Sequence, residues 1–362
     1  MPRRLRVALI STPFIAVPPP EYGGTELIVA ELAQALRAFG AEVVVYTTGD
    51  SHLEGIECRS YFARPIWPPE PGPERTHAAW ALRDIARDPR GFDVVHSHCN
   101  AVVALAGLCR VPLVHTVHHD VDEALSAIYR QAPQVHRVAI SHNQARLEPA
   151  GLHSVVHHGL SPARFAAQRD DGYLLFIGRY CSVKAPHIAI DIAREAGLPL
   201  VLAGRHHEEP GDEGYFEREM RPRLSLPGVT NVGPVGGAQK ADFISRARAL
   251  VFPIQWEEPF GLVMIEAMLS GVPVLALSRG SVPEVVDEGL TGTICETPAD
   301  LAMAAKVAHL FDRGRVRAHA QRRFSAARMA ESYLGVYERV LAAPQAEEEE
   351  PPAETQRGAC VQ

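Results

Sequence analysis

The feature of this chain that most constrains its fold is an alternation of short apolar runs with longer helical patterns. Runs rich in Val, Ile and Leu are typical of strands buried on both faces of a parallel sheet, and the segments between them have the length of helices. Such an alternation predicts β-α-β units. In the first half of the chain the apolar runs are residues 5–10, 43–47, 94–96, 113–117 and 138–140.

The same alternation restarts in the second half of the chain. The apolar runs there are residues 173–177, 200–203, 229–232, 249–252 and 274–277. The polar stretch 168–172 separates the two series, and 362 residues is the length of two domains of ordinary size. We therefore predict an α/β fold of two doubly wound, Rossmann-like domains, residues 1–165 and 166–324, that face each other across a cleft.

Three further segments stand outside this alternation. Residues 325–342 carry an apolar stripe at helical spacing, and such a stripe must be buried against another element. Residues 65–75 contain five prolines and are expected to form a surface loop. Residues 343–362 include four consecutive glutamates and are expected to form a disordered acidic tail.

The composition excludes several classes of protein. A net charge of −7 provides no positive field for a polyanion, so we expect no nucleic-acid partner. The sequence has no apolar stretch of the roughly 20 residues that a transmembrane helix needs, and its start does not resemble a signal peptide, which predicts a cytoplasmic protein. Peripheral membrane contact stays open, since only Arg59 and Arg64 favour it. The six cysteines lack paired spacing and are expected to be reduced thiols.

The loops that follow the predicted strands are where an open parallel sheet binds its ligand. Gly23 and Gly24 stand directly before a helix, where backbone N–H groups can approach an anion, although such a pair is also ordinary turn chemistry. Arg179 and Lys184 bracket a second loop that opens a helix with Pro186 in its first turn. Two cations at a helix start suit a diphosphate. The alternative is a pair of solvated surface cations.

A third loop carries two glutamates seven residues apart. If a helix begins near Gly261, Glu258 lies in the loop before it and Glu266 faces outward about a turn and a half later. One carboxylate could then reach the sugar of a ligand and the other its ribose, with phosphates at the helix N-terminus. The alternative is two ordinary surface glutamates.

These motifs together resemble retaining glycosyltransferase family 4, whose signature is E-x7-E. Glu258 to Glu266, followed by residues 271–274, resembles that signature, and Gly280 to Glu284 resembles its later G-G-x-P-E element. The remaining matches are Gly23-Gly24-Thr25-Glu26, Gly178-Arg179 with Lys184, and Thr116-Val117-His118. The sequence departs from the family at Ser161, Ala185, Ile254 and Ser281, where aspartate, glycine, serine and glycine are usual.

The resemblance implies a GT-B fold, retention of anomeric configuration, and catalysis without a metal or other cofactor. It assigns catalysis to Arg179, Lys184, Glu258 and to His118, which would face the donor sugar. It assigns donor binding to Gly23, Gly24, Gly178, Phe260, Gly261, Leu262, Val263 and Glu266. It also implies that segment 325–342 crosses back to pack on the first domain.

The leading hypothesis is transfer of a hexosyl group from a nucleoside-diphosphate sugar, with UDP-sugars favoured, to a hydroxyl of an unidentified acceptor. A nucleotide-sugar epimerase on the same scaffold and a non-catalytic sugar-nucleotide-binding module are the alternatives. A dehydrogenase would need G-x-G-x-x-G after a strand, which the sequence lacks. The acceptor is expected at first-domain loops that carry Phe14, Tyr22, Tyr61, Phe62 and Trp67. The sequence makes no prediction of the oligomeric state.

Histidines are frequent near the predicted strand ends of the first domain. No pair of them has a metal-ligand spacing such as H-E-x-x-H, so we expect no metal site. These histidines are His96, His98, His115, His118, His119, His153, His157 and His158.

Overall fold

The computed structural model describes residues 4–207 and 211–343, and the predicted acidic tail from residue 344 lies outside them. The first part of the chain forms a parallel sheet. Its strands are β1 (Arg6–Ile10), β2 (Glu42–Thr47), β3 (Glu57–Ser60), β4 (Val94–Ser97), β5 (Leu113–Thr116), β6 (His136–Ala139) and β7 (Ser154–Val155). They lie in the order β3-β2-β1-β4-β5-β6-β7.

A second parallel sheet follows, which confirms the predicted pair of doubly wound α/β units. Its strands are β8 (Leu174–Ile177), β9 (Leu200–Ala203), β10 (Val229–Gly233), β11 (Ala249–Phe252), β12 (Val274–Leu277) and β13 (Gly292–Cys295). They lie in the order β10-β9-β8-β11-β12-β13. Both orders reverse direction beside the first strand of the sheet, where such folds bind ligands.

Helices cover the sheets. Those in the first part are α1 (Gly24–Ala38), α2 (Pro71–Arg87), α3 (Asn100–Ala104), α4 (Glu123–Gln131) and α5 (His142–Leu147). Those in the second are α6 (Pro186–Ala196), α7 (Arg221–Leu224), α8 (Gly237–Arg246), α9 (Leu262–Leu269), α10 (Val282–Val285), α11 (Pro298–Val307) and α12 (Arg313–Phe324), and α13 (Ala326–Ala342) ends the described chain. Within these residues no helix is long and apolar enough to span a bilayer.

The prediction of a surface loop over residues 65–75 was wrong for its last five residues. Helix α2 begins at Pro71, and Pro73 also lies in its first turn. Proline is tolerated there because the first N–H groups of a helix have no partner within the helix. The proline content therefore marks the start of a helix.

Helix α13 packs against α1 on the first sheet's side, where the resemblance places this segment. Its apolar stripe is buried, with Tyr333 and Tyr337 fully inaccessible. The Tyr333 hydroxyl lies 2.7 Å from Thr116 Oγ1, and the Tyr337 hydroxyl lies 2.7 Å from His96 Nδ1. Helix α13 is thus bonded to the strand ends of the first sheet.

The chain crosses between the two sheets twice, and the two crossings are hydrogen-bonded to each other. The Leu160 N–H donates to the Phe324 carbonyl at 2.9 Å, and the Ala326 N–H donates to the Leu160 carbonyl at 3.0 Å. The Ser161 N–H donates to a carboxylate oxygen of Glu31 in α1 at 2.8 Å. The first crossing is therefore anchored to α1, and the second is anchored to the first domain through its bonds to Leu160.

Candidate functional site

A cavity of about 890 Å³ lies between the two sheets and takes its lining from both. It opens at the carboxyl ends of the strands, as expected for open parallel sheets. Every predicted site residue lines it: Gly23, Gly24, His118, Gly178, Arg179, Lys184, Glu258, Phe260, Gly261, Leu262, Val263 and Glu266. The fold thus brings motifs that are far apart in sequence onto one surface.

Two helix N-termini from opposite sides meet in this cavity. Helix α1 begins at Gly24 and α9 begins at Leu262, and a Cβ atom added to Gly24 would lie 3.3 Å from Leu262 Cδ1. Gly261 before α9 has φ +77°, a left-handed conformation that favours glycine. The first N–H groups of a helix have no partner within the regular helix, and together with the aligned peptide dipoles they favour a negatively charged ligand at a helix start.

Lys184 and Glu258 form a nearly buried ion pair at the cavity wall. Lys184 Nζ contacts Glu258 Oε2, and the same oxygen accepts a hydrogen bond from Trp256 Nε1 at 2.9 Å. Lys184 Nζ also lies 4.6 Å from the centre of the Trp256 ring, a cation–π contact. The sequence predicts separate partners for Lys184 and Glu258, whereas in the structure each is held by the other.

Glu266 is buried in the described structure, with 5% of its surface exposed, so the expectation that it faces outward was wrong. The reason is that α8 packs beside α9 and supplies Lys240, whose Nζ lies 2.7 Å from Glu266 Oε1 and 2.6 Å from Oε2. Lys240 lines the cavity and was missed. Lys240 lies early in the helix that follows β10. The other site residues were predicted from the same kind of position, directly after a strand of a parallel sheet.

Ala185, which follows Lys184, is one of the departures from the family pattern. Ala185 has φ +53° and is the sole non-glycine residue of the described chain with positive φ. Glycine adopts this conformation without the steric cost of a Cβ atom. Alanine therefore bears a steric cost here that the glycine usual in the family would not.

The loop after β12 supports the loop that carries Glu258. The Ser281 N–H donates to the Glu258 carbonyl at 3.0 Å, and the Ser281 hydroxyl donates to the Phe260 carbonyl at 2.8 Å. Gly280 has φ +55°, and a Cβ atom there would lie 2.3 Å from the Glu258 backbone nitrogen. The close approach requires glycine.

We expect Gly280→Ala to displace the Glu258 loop, because a 2.3 Å contact with backbone cannot be relieved by a side-chain rotation. Strain of this kind costs about 1–3 kcal/mol. Thermal unfolding should show a lower midpoint, and donor affinity measured by calorimetry should fall. Gly289→Ala is the matched control, since Gly289 also has positive φ but has nothing within 4 Å of the added atom. Equal loss of donor affinity in both variants would contradict the assignment.

His118 reaches the cavity as part of a buried histidine cluster. His118 Nε2 and His98 Nδ1 lie 2.8 Å apart, and the His118 ring stacks on His158 with centres 5.2 Å apart. Burial lowers the pKa of His118 to about 3, so its ring is neutral at pH 7. A neutral imidazole can donate a hydrogen bond from one nitrogen and accept at the other. Sequence reasoning found His118 but not its two partners in this arrangement.

The buried histidines predict that the protein loses stability in mild acid. Burial lowers the pKa of His96 to about 3 and of His77 and His136 to about 4, from an ordinary value of 6.5. Between its pKa in the folded protein and 6.5, such a group takes up a proton on unfolding. The free energy of unfolding is therefore highest, as far as these histidines determine it, above pH 6.5, and it falls as the pH is lowered below that value. Each histidine contributes about 1.4 kcal/mol per pH unit below that value.

Urea unfolding at pH 7.5 and 5.5 tests this dependence, and the midpoint should be lower at pH 5.5. The buried Glu26 acts in the opposite direction, because burial raises its pKa, so the net slope is smaller than the histidines alone would give. Equal midpoints at the two pH values would contradict the prediction.

The expected acceptor side of the cavity carries three of the five predicted aromatic residues. Phe14, Tyr22 and Trp67 line it, and Tyr22 and Trp67 expose 70% and 61% of their surface. Tyr61 and Phe62 are not in the lining and contact each other edge to face, with ring centres 4.9 Å apart.

Comparison with known proteins agrees with this geometry. Residues 22–164 match the family described as Glycosyltransferase Family 4, and residues 161–327 match the family described as Glycosyl transferases group 1. The D-inositol 3-phosphate glycosyltransferase of Mycolicibacterium smegmatis is 26% identical over 407 aligned positions, which cover 94% of this chain and 92% of that protein.

Two solved structures share the architecture. AviGT4, a glycosyltransferase involved in avilamycin A biosynthesis, is 27% identical with a TM-score of 0.71, over 93% of this chain and 98% of that one. HepE of Anabaena, solved in complex with UDP and glucose, is 17% identical with a TM-score of 0.67, over 92% and 100% of the two chains. At that lower identity the likeness shows a common fold.

Proposed function

Since the chain belongs to glycosyltransferase family 4 and has the GT-B fold, we propose that it is a retaining enzyme that transfers a hexosyl group from a nucleoside-diphosphate sugar to an acceptor hydroxyl. The observation that carries the proposal is the convergence of Arg179, Lys184, the start of α9 and His118 on one cavity. UDP-sugars are the favoured donors, in line with the UDP bound by the Anabaena protein.

The charges of the second domain suit a nucleoside diphosphate. Arg179, Lys184 and Lys240 line its side of the cavity, and the start of α9 lies among them. Negative charge grows on the diphosphate as the glycosidic bond breaks. Fixed cations and N–H groups bind that charge more strongly in the transition state than in the ground state, which lowers the barrier. In this proposal they take the place of a catalytic metal.

The Lys184–Glu258 pair is proposed to separate when the donor binds. Lys184 then turns to the diphosphate, and Glu258 is released to accept a hydrogen bond from a hydroxyl of the transferred sugar. The neutral His118 bonds the same sugar from the first domain. Closing the cavity around the donor excludes water, which would otherwise capture the oxocarbenium-like species.

The acceptor side favours a neutral or cationic acceptor over a phosphorylated one. Its charged lining consists of Glu21, Glu26, Asp120 and Arg164, and Arg164 is already paired with Glu31 at 3.1 Å. A phosphate group there would face mainly carboxylates. Exposed aromatic rings such as Trp67 can instead stack on the apolar face of a sugar ring.

Replacing Glu266 and replacing Glu258 should affect different steps, UDP binding and sugar transfer. Glu266→Gln should weaken binding of free UDP about 10-fold or more, because a hydrogen bond from a ribose hydroxyl to a charged group is worth about 1.5–3 kcal/mol. Glu258→Gln should leave UDP affinity no weaker than in the wild type and lower the rate of transfer instead. Calorimetry with UDP and initial-rate assays separate the two. Equal weakening of UDP binding by both variants would contradict these roles.

A donor and acceptor panel tests the function. UDP-, GDP-, ADP- and dTDP-hexoses are incubated with neutral sugars and polyols and with their phosphorylated counterparts, and products are identified by mass spectrometry. We expect transfer from a UDP-sugar to a neutral acceptor. An epimerised donor formed without acceptor would indicate an epimerase, and tight donor binding without any product would indicate a binding module.

A further inference from the structure

We propose that His142, His157 and Glu284 form a binding site for a divalent metal ion, with Zn²⁺ as the best match, that joins the two domains outside the donor cavity. One potential ligand atom from each residue lies within 4.8 Å of the other two. None of the three residues lines the cavity. The site is therefore separate from the proposed transfer chemistry.

The distances are close to those of a zinc site. Tetrahedral zinc holds nitrogen and oxygen ligands at about 2.0–2.2 Å, which places the ligand atoms roughly 3.3 Å from one another. His157 Nε2 and Glu284 Oε2 already lie 3.1 Å apart. The rings of His142 and His157 are perpendicular with centres 5.9 Å apart, so a rotation of the exposed His142 side chain completes the set.

The backbone holds Glu284 in place for this role. The His142 N–H donates to Glu284 Oε2 and the Asn143 N–H donates to Oε1, both at 2.7 Å. Although burial opposes it, the hydrogen bonds from His157 and these two amides lower the pKa of Glu284, so it is ionised at neutral pH. A carboxylate has about four lone-pair sites, so it can keep both amide bonds and bind a cation. Fixed outer partners of this kind orient metal ligands.

The chemistry of the ligands selects the ion. Two imidazoles and one carboxylate suit Zn²⁺, whereas Mg²⁺ prefers oxygen ligands throughout. Because His142 is exposed, solvent can reach the site and a water molecule can fill the fourth position.

The position of the ligands suggests what the ion does. His142 opens α5 and His157 follows β7 in the first domain, whereas Glu284 belongs to α10 in the second. His157 also packs on Phe260 of the donor cavity, with ring centres 5.8 Å apart. A bound ion would hold the domains in one relative position and slow their opening. Zinc would then inhibit turnover, a consequence that rests on the proposed transfer function, whereas binding itself does not.

Calorimetric titration of the untagged, chelator-treated full chain with ZnCl₂ tests the site. We expect one equivalent of Zn²⁺ bound with micromolar or tighter affinity, and no such binding of MgCl₂. His142→Ala should weaken zinc binding at least about 100-fold while keeping its backbone bond to Glu284, and His157→Ala should do the same. His309→Ala, which removes an exposed histidine elsewhere, should bind like the wild type.

Two outcomes would overturn the site: no zinc binding by the wild type below about millimolar concentration, or unchanged affinity in His142→Ala. Since His142 is exposed, its variant should fold even if His157→Ala does not. In a transfer assay, zinc should inhibit the wild type and spare His142→Ala. Zinc binding without inhibition would overturn the proposal that the ion holds the domains in one relative position. An absence of transfer in metal-free protein would count against the proposed function instead.

Discussion

Replacing Arg179 or Lys184 with alanine is expected to lower the turnover number for sugar transfer by about 100-fold or more. The estimate is the cost of removing one preorganised group that stabilises charge in a transition state. Both side chains line the cavity beside the start of α9, where the leaving diphosphate would lie. Initial rates of transfer at saturating donor measure the effect. Circular dichroism shows whether each variant keeps its fold.

The Lys184 variant needs a control, because it also leaves Glu258 without its cation at a nearly buried position. An unpaired buried carboxylate destabilises a protein by several kcal/mol. The double variant Lys184→Ala with Glu258→Gln removes that charge, so it should recover stability and remain inactive. Near-normal turnover in both Arg179→Ala and Lys184→Ala would show that neither side chain stabilises the leaving group.

Ending the chain at Phe324 is expected to abolish cooperative folding, since it removes α13. That helix buries Met329, Tyr333, Val336 and Tyr337 against the first domain. At about 1.5–3 kcal/mol for each large apolar side chain, the loss is comparable with the whole stability of a typical domain, about 5–15 kcal/mol. The hydroxyl contacts to Thr116 and His96 are lost as well.

A chain that ends at Ala343 is the matched control, because it keeps α13 complete. Thermal unfolding followed by circular dichroism should give the same midpoint for this chain and the full one. If the chain ending at Phe324 unfolds cooperatively within about 5 °C of the full chain, α13 is not part of the first domain's core.

The sequence predicted all the central strands but only one of the four edge strands, β10. All ten apolar runs became strands, and nine of them lie inside a parallel sheet, where strands are buried on both faces. The tenth is β10 at the edge of the second sheet, which is only partly buried. Strands β3, β7 and β13 each have an edge position or a short length, and residues such as Glu57, Arg59 and Ser154 interrupt any apolar run. An edge strand is recognised by its pairing with a neighbour, which a local pattern does not contain.

The site loops were predictable because their motifs lie directly after strands, but the partners of their side chains were not. Lys184 and Glu258 are 74 positions apart in sequence, and Lys240 and Glu266 are 26 apart. Only the packing of α6, α8 and α9 on one sheet brings these charges together. The same applies to His142, His157 and Glu284, whose spacing along the chain shows no metal-ligand pattern.

The anomeric configuration of the product tests the retaining mechanism. The enzyme is incubated with an α-linked UDP-hexose and the neutral acceptor found in the panel, and the initial product is examined by proton NMR through the coupling constant of its anomeric proton. Retention predicts an α-linked product at the earliest times. A β-linked product would contradict the retaining mechanism, and a donor that binds in the cavity but is never transferred would contradict the proposed function itself.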